Sequence, residues 1–302
     1  MASGWGASEA VARYEAIREV LPQTRFPNTS RKIRDVSEVI EQYDAFVLDA
    51  FGVLNVGDTA IPEAVERVAQ MRRAGRSVIV LTNGASFAKA KALAKYHRLG
   101  FDFAPEDVIA SRDIAAAALG NWPRNHVWAA ITAPEAGFED IPFDLRPLAR
   151  APDLLRHADG FVFLGSEGWT ADRQMALIAA LRDNPRPVLV ANPDIVAPRE
   201  TGFSLEPGHF VQDIAQMTGT KPLFFGKPHA NAFAAVKAVL PRDIAPERIA
   251  MVGDTLHTDV LGGRAAGFGT VLIAGHGLFA GQDPTRYIAS TGIVPDVIAD
   301  TT

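Results

Sequence analysis

The feature that most limits this chain is an alternation, repeated along its length, between short apolar runs and amphipathic stretches. Phe46-Val47-Leu48, Val78-Ile79-Val80-Leu81, Phe161-Val162-Phe163-Leu164, Val188-Leu189-Val190, Leu223-Phe224-Phe225 and Ile249-Ala250-Met251-Val252 each run into a Gly, Asn or Asp. Runs of this kind suit strands buried on both faces, and their alternation with helical stretches predicts parallel strands joined by crossover helices. Pro62 to Ala74 puts Ala64, Val65, Val68 and Met71 on one face, with proline near its start and Gly75 just past its end, which predicts a helix. Lys89 to Leu99, Met175 to Leu181, Phe233 to Leu240 and Asp259 to Ala266 read likewise, and Glu9 to Val20 is a helical stretch in an N-terminal extension of residues 1–35. The fold class is α/β.

At 302 residues the chain exceeds one compact core, so two packed units or a core with a large insertion is expected. The 30 Lys and Arg against 35 Asp and Glu give a net charge of −5, and no stretch gathers the basic residues into a phosphate-tracking stripe. Nucleic acid is therefore not an expected partner. Absence of cysteine rules out disulfides, thiolate nucleophiles and thiolate metal sites. No apolar run reaches a membrane span, and the start lacks the basic and apolar regions of a signal peptide. The expectation is a cytoplasmic protein with no membrane partner; a homo-oligomer stays open.

Four groups of polar residues fall at the C-terminal ends of predicted strands, where open α/β sheets place their ligand sites. Asp49 leaves the first strand and is followed by Gly52, which permits a sharp turn. Thr82 and Asn83 end the second with a hydroxyl and an amide, both able to donate to a phosphoryl oxygen. Lys227, between Gly226 and Pro228, offers an ammonium to neutralise a phosphate or orient a carboxylate. Asp254 and Asp259, five positions apart, suit a hard cation such as Mg2+ held through oxygen ligands. Singly, Gly253-Asp254 is a common strand-to-turn dipeptide, Thr82-Asn83 a common loop entrance and Lys227 an ordinary solvated lysine. Their joint occurrence at four strand ends is what points to a phosphate-and-metal site.

The set, in this order, resembles the haloacid dehalogenase superfamily, whose motifs are a nucleophilic Asp, a Thr or Ser, a Lys and an acidic metal-binding loop. The interval from Thr82 to Lys227 is more than four times that from Asp49 to Thr82. Within it, Ala191-Asn192-Pro193-Asp194 followed by Glu206-Pro207-Gly208-His209 is similar to the NagD-like class IIA phosphatases, whose α/β cap covers the active site. The resemblance implies a Rossmann-like core from residues 1–115 and 205–302, with residues 116–204 as the cap. It implies Asp49, Thr82 and Lys227 as the catalytic set, Asn83, Asn192, Asp194 and His209 as contacts to the substrate or its phosphate, and Mg2+ held by Asp49, the Phe51 carbonyl, Asp254 and Asp259. The substrate would be a small phosphorylated metabolite, hydrolysed through an aspartyl-phosphate.

One position departs from that pattern. Phosphatases of the superfamily carry a second Asp two residues after the nucleophile, which protonates the leaving group and then activates water; here it is Phe51. Positioned acid–base catalysis contributes about 10²–10⁴-fold. A good leaving group, another acid such as His209 or His257, or retained ligand binding without efficient turnover would each accommodate the loss. A metal-independent dehalogenase, which carries an aromatic residue there, ranks third behind a phosphatase and a phosphate-ligand binding protein, because converging acids without a cation repel one another.

Overall fold

Ala45–Leu48 and Ile249–Gly253 have no exposed residue, a condition met by strands that are flanked by strands and covered on both faces. In the computed structural model, which describes residues 4–199 and 201–302, they lie side by side in a seven-stranded sheet. Its order is Arg31–Asp35, Val297–Thr301, Gly269–Ile273, Ile249–Gly253, Ala45–Leu48, Ser77–Thr82, Val108–Ala110. Every pairing is parallel, so the sheet draws on both ends of the chain and its carboxyl ends share one edge. Leu48 pairs with Val252, and the Asp49 amide donates to the Val252 carbonyl at 2.9 Å. That register brings Asp49 and Asp254 out of neighbouring strands at the same level.

A second sheet of five parallel strands runs in the order Leu223–Phe224, Val188–Val190, Gly160–Phe163, Val127–Ile131, Asp144–Pro147. Its extent corrects the boundaries expected at 116 and 204. Leu189 pairs with Leu223 and Val190 with Phe224, so the second unit continues through the hairpin Val196–Pro198 and Phe203–Leu205 and the helix Pro207–Thr218 as far as Phe224. At its other end the helix Ser111–Ala118 packs against the core helix Ala230–Val239, which moves that boundary beyond Ala118. The apolar run Leu223-Phe224-Phe225 marks a strand but does not say which sheet takes it.

Residues 1–3 of the expected N-terminal extension lie outside the described residues. Ala7, Ala10, Val11 and Tyr14 form one buried face of the helix Ala7–Glu15. That face packs against Ile195 and Val196 of the second unit and Leu256, Val260 and Leu278 of the first. The helix ends before the expected Val20, since Pro22 holds Leu21 extended and the intervening Arg18–Val20 makes only a short 3₁₀ turn. The helix expected over Asp259–Ala266 begins earlier, with a π turn at Leu256–Val260 that continues into Leu261–Ala265. No helix among the described residues is long and apolar enough to cross a membrane.

Candidate active site

Asp49 follows its strand directly, and one of its oxygens, Oδ1, accepts the Ala50 N–H at 2.7 Å. The chain then turns through Gly52 at φ +78°, where a Cβ would lie 2.6 Å from the Asp254 carboxyl carbon, so any side chain there would displace the second acid. Asp254 is anchored by the Leu278 N–H on Oδ2 at 2.7 Å and the Thr255 hydroxyl on Oδ1 at 3.0 Å. Asp259 lies on the π turn and takes the Thr255 N–H on Oδ2 at 3.1 Å; π turns inside helices are frequent at functional sites.

Lys227 is only 1 % exposed, and its Nζ stands 2.6 Å from Asp49 Oδ1 and 2.7 Å from Asp259 Oδ1. The Asn83 amide fixes the Lys227 backbone, accepting its N–H at 2.8 Å and donating to its carbonyl at 3.0 Å. The same Nδ2 donates to Asp194 Oδ1 at 2.8 Å. Thr82 Oγ1 accepts the Gly84 N–H at 3.0 Å, which uses a lone pair and leaves the O–H bond for another acceptor.

One carboxylate oxygen each from Asp49, Asp254 and Asp259 lies within 4.8 Å of the other two. Burial, then the neighbouring charges of Asp49 and Asp259, raises the Asp254 pKa well above the usual carboxylate range. Burial also raises Asp259, against the lowering effect of Lys227. For Lys227 burial works toward a lower value, but Asp259, Asp49 and Asp194 outweigh it and hold the ammonium above the usual lysine range. One buried ammonium among three carboxylates, two of them buried and Asp49 partly so, leaves surplus negative charge on hard oxygen donors, and this donor set fits a divalent cation.

Asn192 and Asp194 reach the site from the second unit. The Asn192 side chain accepts the Asp194 N–H at 3.0 Å and donates to Glu206 at 3.1 Å. Asp194 itself meets Asn83, and burial pushes its carboxyl up to about 8, helped by Asp49 and opposed by Lys227. The two histidines face elsewhere. His209 packs its ring edge-on to Trp5, and its carbonyl accepts from Arg13 at 3.0 Å. His257 is fully buried, stacked on Tyr14 at 4.8 Å, with Nε2 2.7 Å from Glu15 Oε1. Phe51 is flanked by two cations, Lys95 Nζ at 4.7 Å and Arg199 Cζ at 5.5 Å from its ring centroid. Neither cation, nor Tyr14, carries a local sequence signal, because each reaches the site from a distant segment.

Residues 46–138 match the haloacid dehalogenase-like hydrolase family model, and residues 224–301 match a second model of the same hydrolases, together more than half of the chain. The acid sugar phosphatase of Staphylococcus aureus is 24% identical over 77% of this chain and 86% of its own length. A crystal structure from Cytophaga hutchinsonii, described as a possible sugar phosphatase, superposes with a TM-score of 0.79 at 26% identity, covering 90% of this chain and 98% of that one. NagD from E. coli shares the fold, with a TM-score of 0.65 at 21% identity over 86% of this chain and 96% of its own. On these matches the chain belongs to the haloacid dehalogenase-like hydrolases and has the fold of their NagD-like members.

Proposed function

We propose that this protein hydrolyses the phosphate monoester of a small sugar-type metabolite, with Asp49 as the nucleophile and an aspartyl-phosphate as the intermediate. The observation that carries this reading is the placement of Lys227 Nζ on both Asp49 and Asp259, with Asp254 beside them. Asp49 attacks phosphorus in line as the ester oxygen departs. Lys227 and Thr82 donate to the phosphoryl oxygens, Asn83, whose amide is spent on Lys227 and Asp194, holds the lysine in place, and Asp259 orients Lys227. Asp49, the Phe51 carbonyl and Asp254 would hold Mg2+, which supplies Lewis-acid neutralisation of the phosphoryl charge. The second unit covers the site and excludes bulk water. Sugar phosphates as the substrate class rest on the Staphylococcus and Cytophaga relatives. Release of inorganic phosphate from a panel of phosphorylated sugars, with Mg2+ and with chelator, tests the reading; Asp49→Asn must abolish turnover, and a variant that turns over at the wild-type rate overturns it. A second reading, a phosphate-ligand binding protein with little turnover, draws on Phe51 alone.

A further inference from the structure

In-line displacement places the nucleophile and the leaving oxygen on opposite sides of phosphorus. Asp49 rises from the core sheet edge, so the leaving oxygen faces the second unit. The part of that unit seated on the core strand ends is the loop Asn192-Pro193-Asp194. Pro193 Cδ packs so close to Gly226 that a Cβ there would lie 3.1 Å away, and Asp194 Oδ1 receives the Asn83 amide at 2.8 Å. Asn83 is also the side chain that brackets Lys227, so Asp194 sits one residue away from the lysine on Asp49. Asp194 is partly exposed although its neighbours Pro193 and Ile195 are buried, and its loop is held from behind by the Asn192 to Glu206 bond. This is a half-buried acid fixed by one oxygen.

We propose that Asp194 is the proton donor to the leaving oxygen, in place of the acid that Phe51 replaces. The proposal rests on the phosphatase reading above. In the first half-reaction the Asp49 oxygen bonds to phosphorus and the ester P–O bond breaks. Its electron pair stays on the leaving oxygen, which takes the proton of the Asp194 carboxyl and departs as an alcohol. Asp194 is then a carboxylate. In the second half-reaction a water oxygen attacks phosphorus from the vacated side while Asp194 takes a proton from that water. The bond to Asp49 breaks, inorganic phosphate leaves and Asp194 is neutral again.

The groups facing Asp194 support this cycle. Lys227 favours its carboxylate, Asp49 and Asp259 favour its neutral form, and the Tyr14 hydroxyl, buried and neutral, shares its surroundings. Burial with these charges holds the carboxyl up to about 8, so it carries a proton near neutral pH. The histidines do not compete. Burial lowers His257 to about 4 and lowers His209 as well, and both are turned toward the N-terminal helix.

The test uses p-nitrophenyl, phenyl and benzyl phosphates, which share a ring but differ in leaving-group basicity. With Mg2+ present, kcat/KM is measured across pH for the wild type, Asp194→Asn, and Asp194→Asn combined with Phe51→Asp. The isosteric Asp194→Asn should lower benzyl phosphate hydrolysis by about 10²–10⁴-fold and remove its alkaline limb, while p-nitrophenyl phosphate falls by less than about tenfold. Adding Phe51→Asp should recover benzyl phosphate hydrolysis, an outcome that a merely structural defect at Asp194 would not allow. An equal loss on all three esters, or none, overturns the proposal while leaving the phosphatase reading intact. A wild type inactive on all three overturns that reading and the proposal with it.

Discussion

The side-chain amide of Asn83 brackets the peptide of Lys227, accepting its N–H at 2.8 Å and donating to its carbonyl at 3.0 Å. Two chain segments that are 144 positions apart are thereby fixed at the point where the lysine meets Asp49. Asn83→Ala strands a buried N–H and a buried carbonyl. A stranded buried group costs about 1–3 kcal/mol, so the variant should lose roughly 2–4 kcal/mol of stability by urea denaturation. Its kcat/KM should fall as Lys227 loses its orientation. Unchanged stability would mean that water replaces the amide.

Asp254 and Asp259 differ in what already holds them. Both Asp259 oxygens are engaged, one by Lys227 and one by the Thr255 N–H, whereas Asp254 meets only neutral donors. Asp254→Asn should therefore weaken Mg2+ binding far more than Asp259→Asn. Titration calorimetry on both variants decides; equal losses would reverse the assignment of ligand and lysine partner.

Metal binding should also depend on pH, because burial and neighbouring charge raise Asp254 above its ordinary pKa. A group raised in the folded protein contributes stability at low pH that is lost as pH rises through its folded pKa, and a cation removes that loss by holding the carboxylate charged. The rise in melting temperature on adding Mg2+ should therefore be greater at pH 8 than at pH 6. Thermal denaturation with Mg2+ and with chelator measures it, and a shift independent of pH would show that Asp254 is ionised without the metal.

Acid should destabilise the fold through two buried histidines. Burial lowers His229, which stacks on Phe224, and His257, each to about 4. Both are neutral when folded, while the unfolded chain takes up protons near the ordinary histidine value of about 6.5. Their contribution is complete above that value and is lost as pH falls toward 4, at up to about 3 kcal/mol per residue from 1.36 kcal/mol per pKa unit. The stability difference between wild type and His229→Gln should narrow on going from pH 7.5 to 4.5, as read by urea denaturation. A constant difference would place a proton on His229 in the folded state.

Asp49, Thr82, Lys227 and Asp254 were legible because each ends, or closely follows, an apolar run whose burial on both faces leaves the next polar residue at the sheet edge. Arg31–Asp35 was not, since as an edge strand it alternates charged and buried residues and carries no apolar run. Leu223-Phe224 was legible as a strand but not as the edge of the second sheet. Lys95 and Arg199 could not be assigned to Phe51 from sequence, because a cation over a ring is set by tertiary packing alone. The local pattern left His209 and His257 open as acids, and only the packing of the first helix turns both away from Asp49.

Tyr14 joins parts of the molecule that the sequence keeps far apart. Its hydroxyl accepts the Ile195 N–H at 3.1 Å in the second unit while its ring lies flat on His257 in the first, and Arg13 beside it pairs with Asp213. A substrate admitted by swinging the cap away from Asp254 must unstack that ring and strip a buried amide of its acceptor. The first helix is thus a tie between the two units, and parting them would break contacts on both sides of one residue.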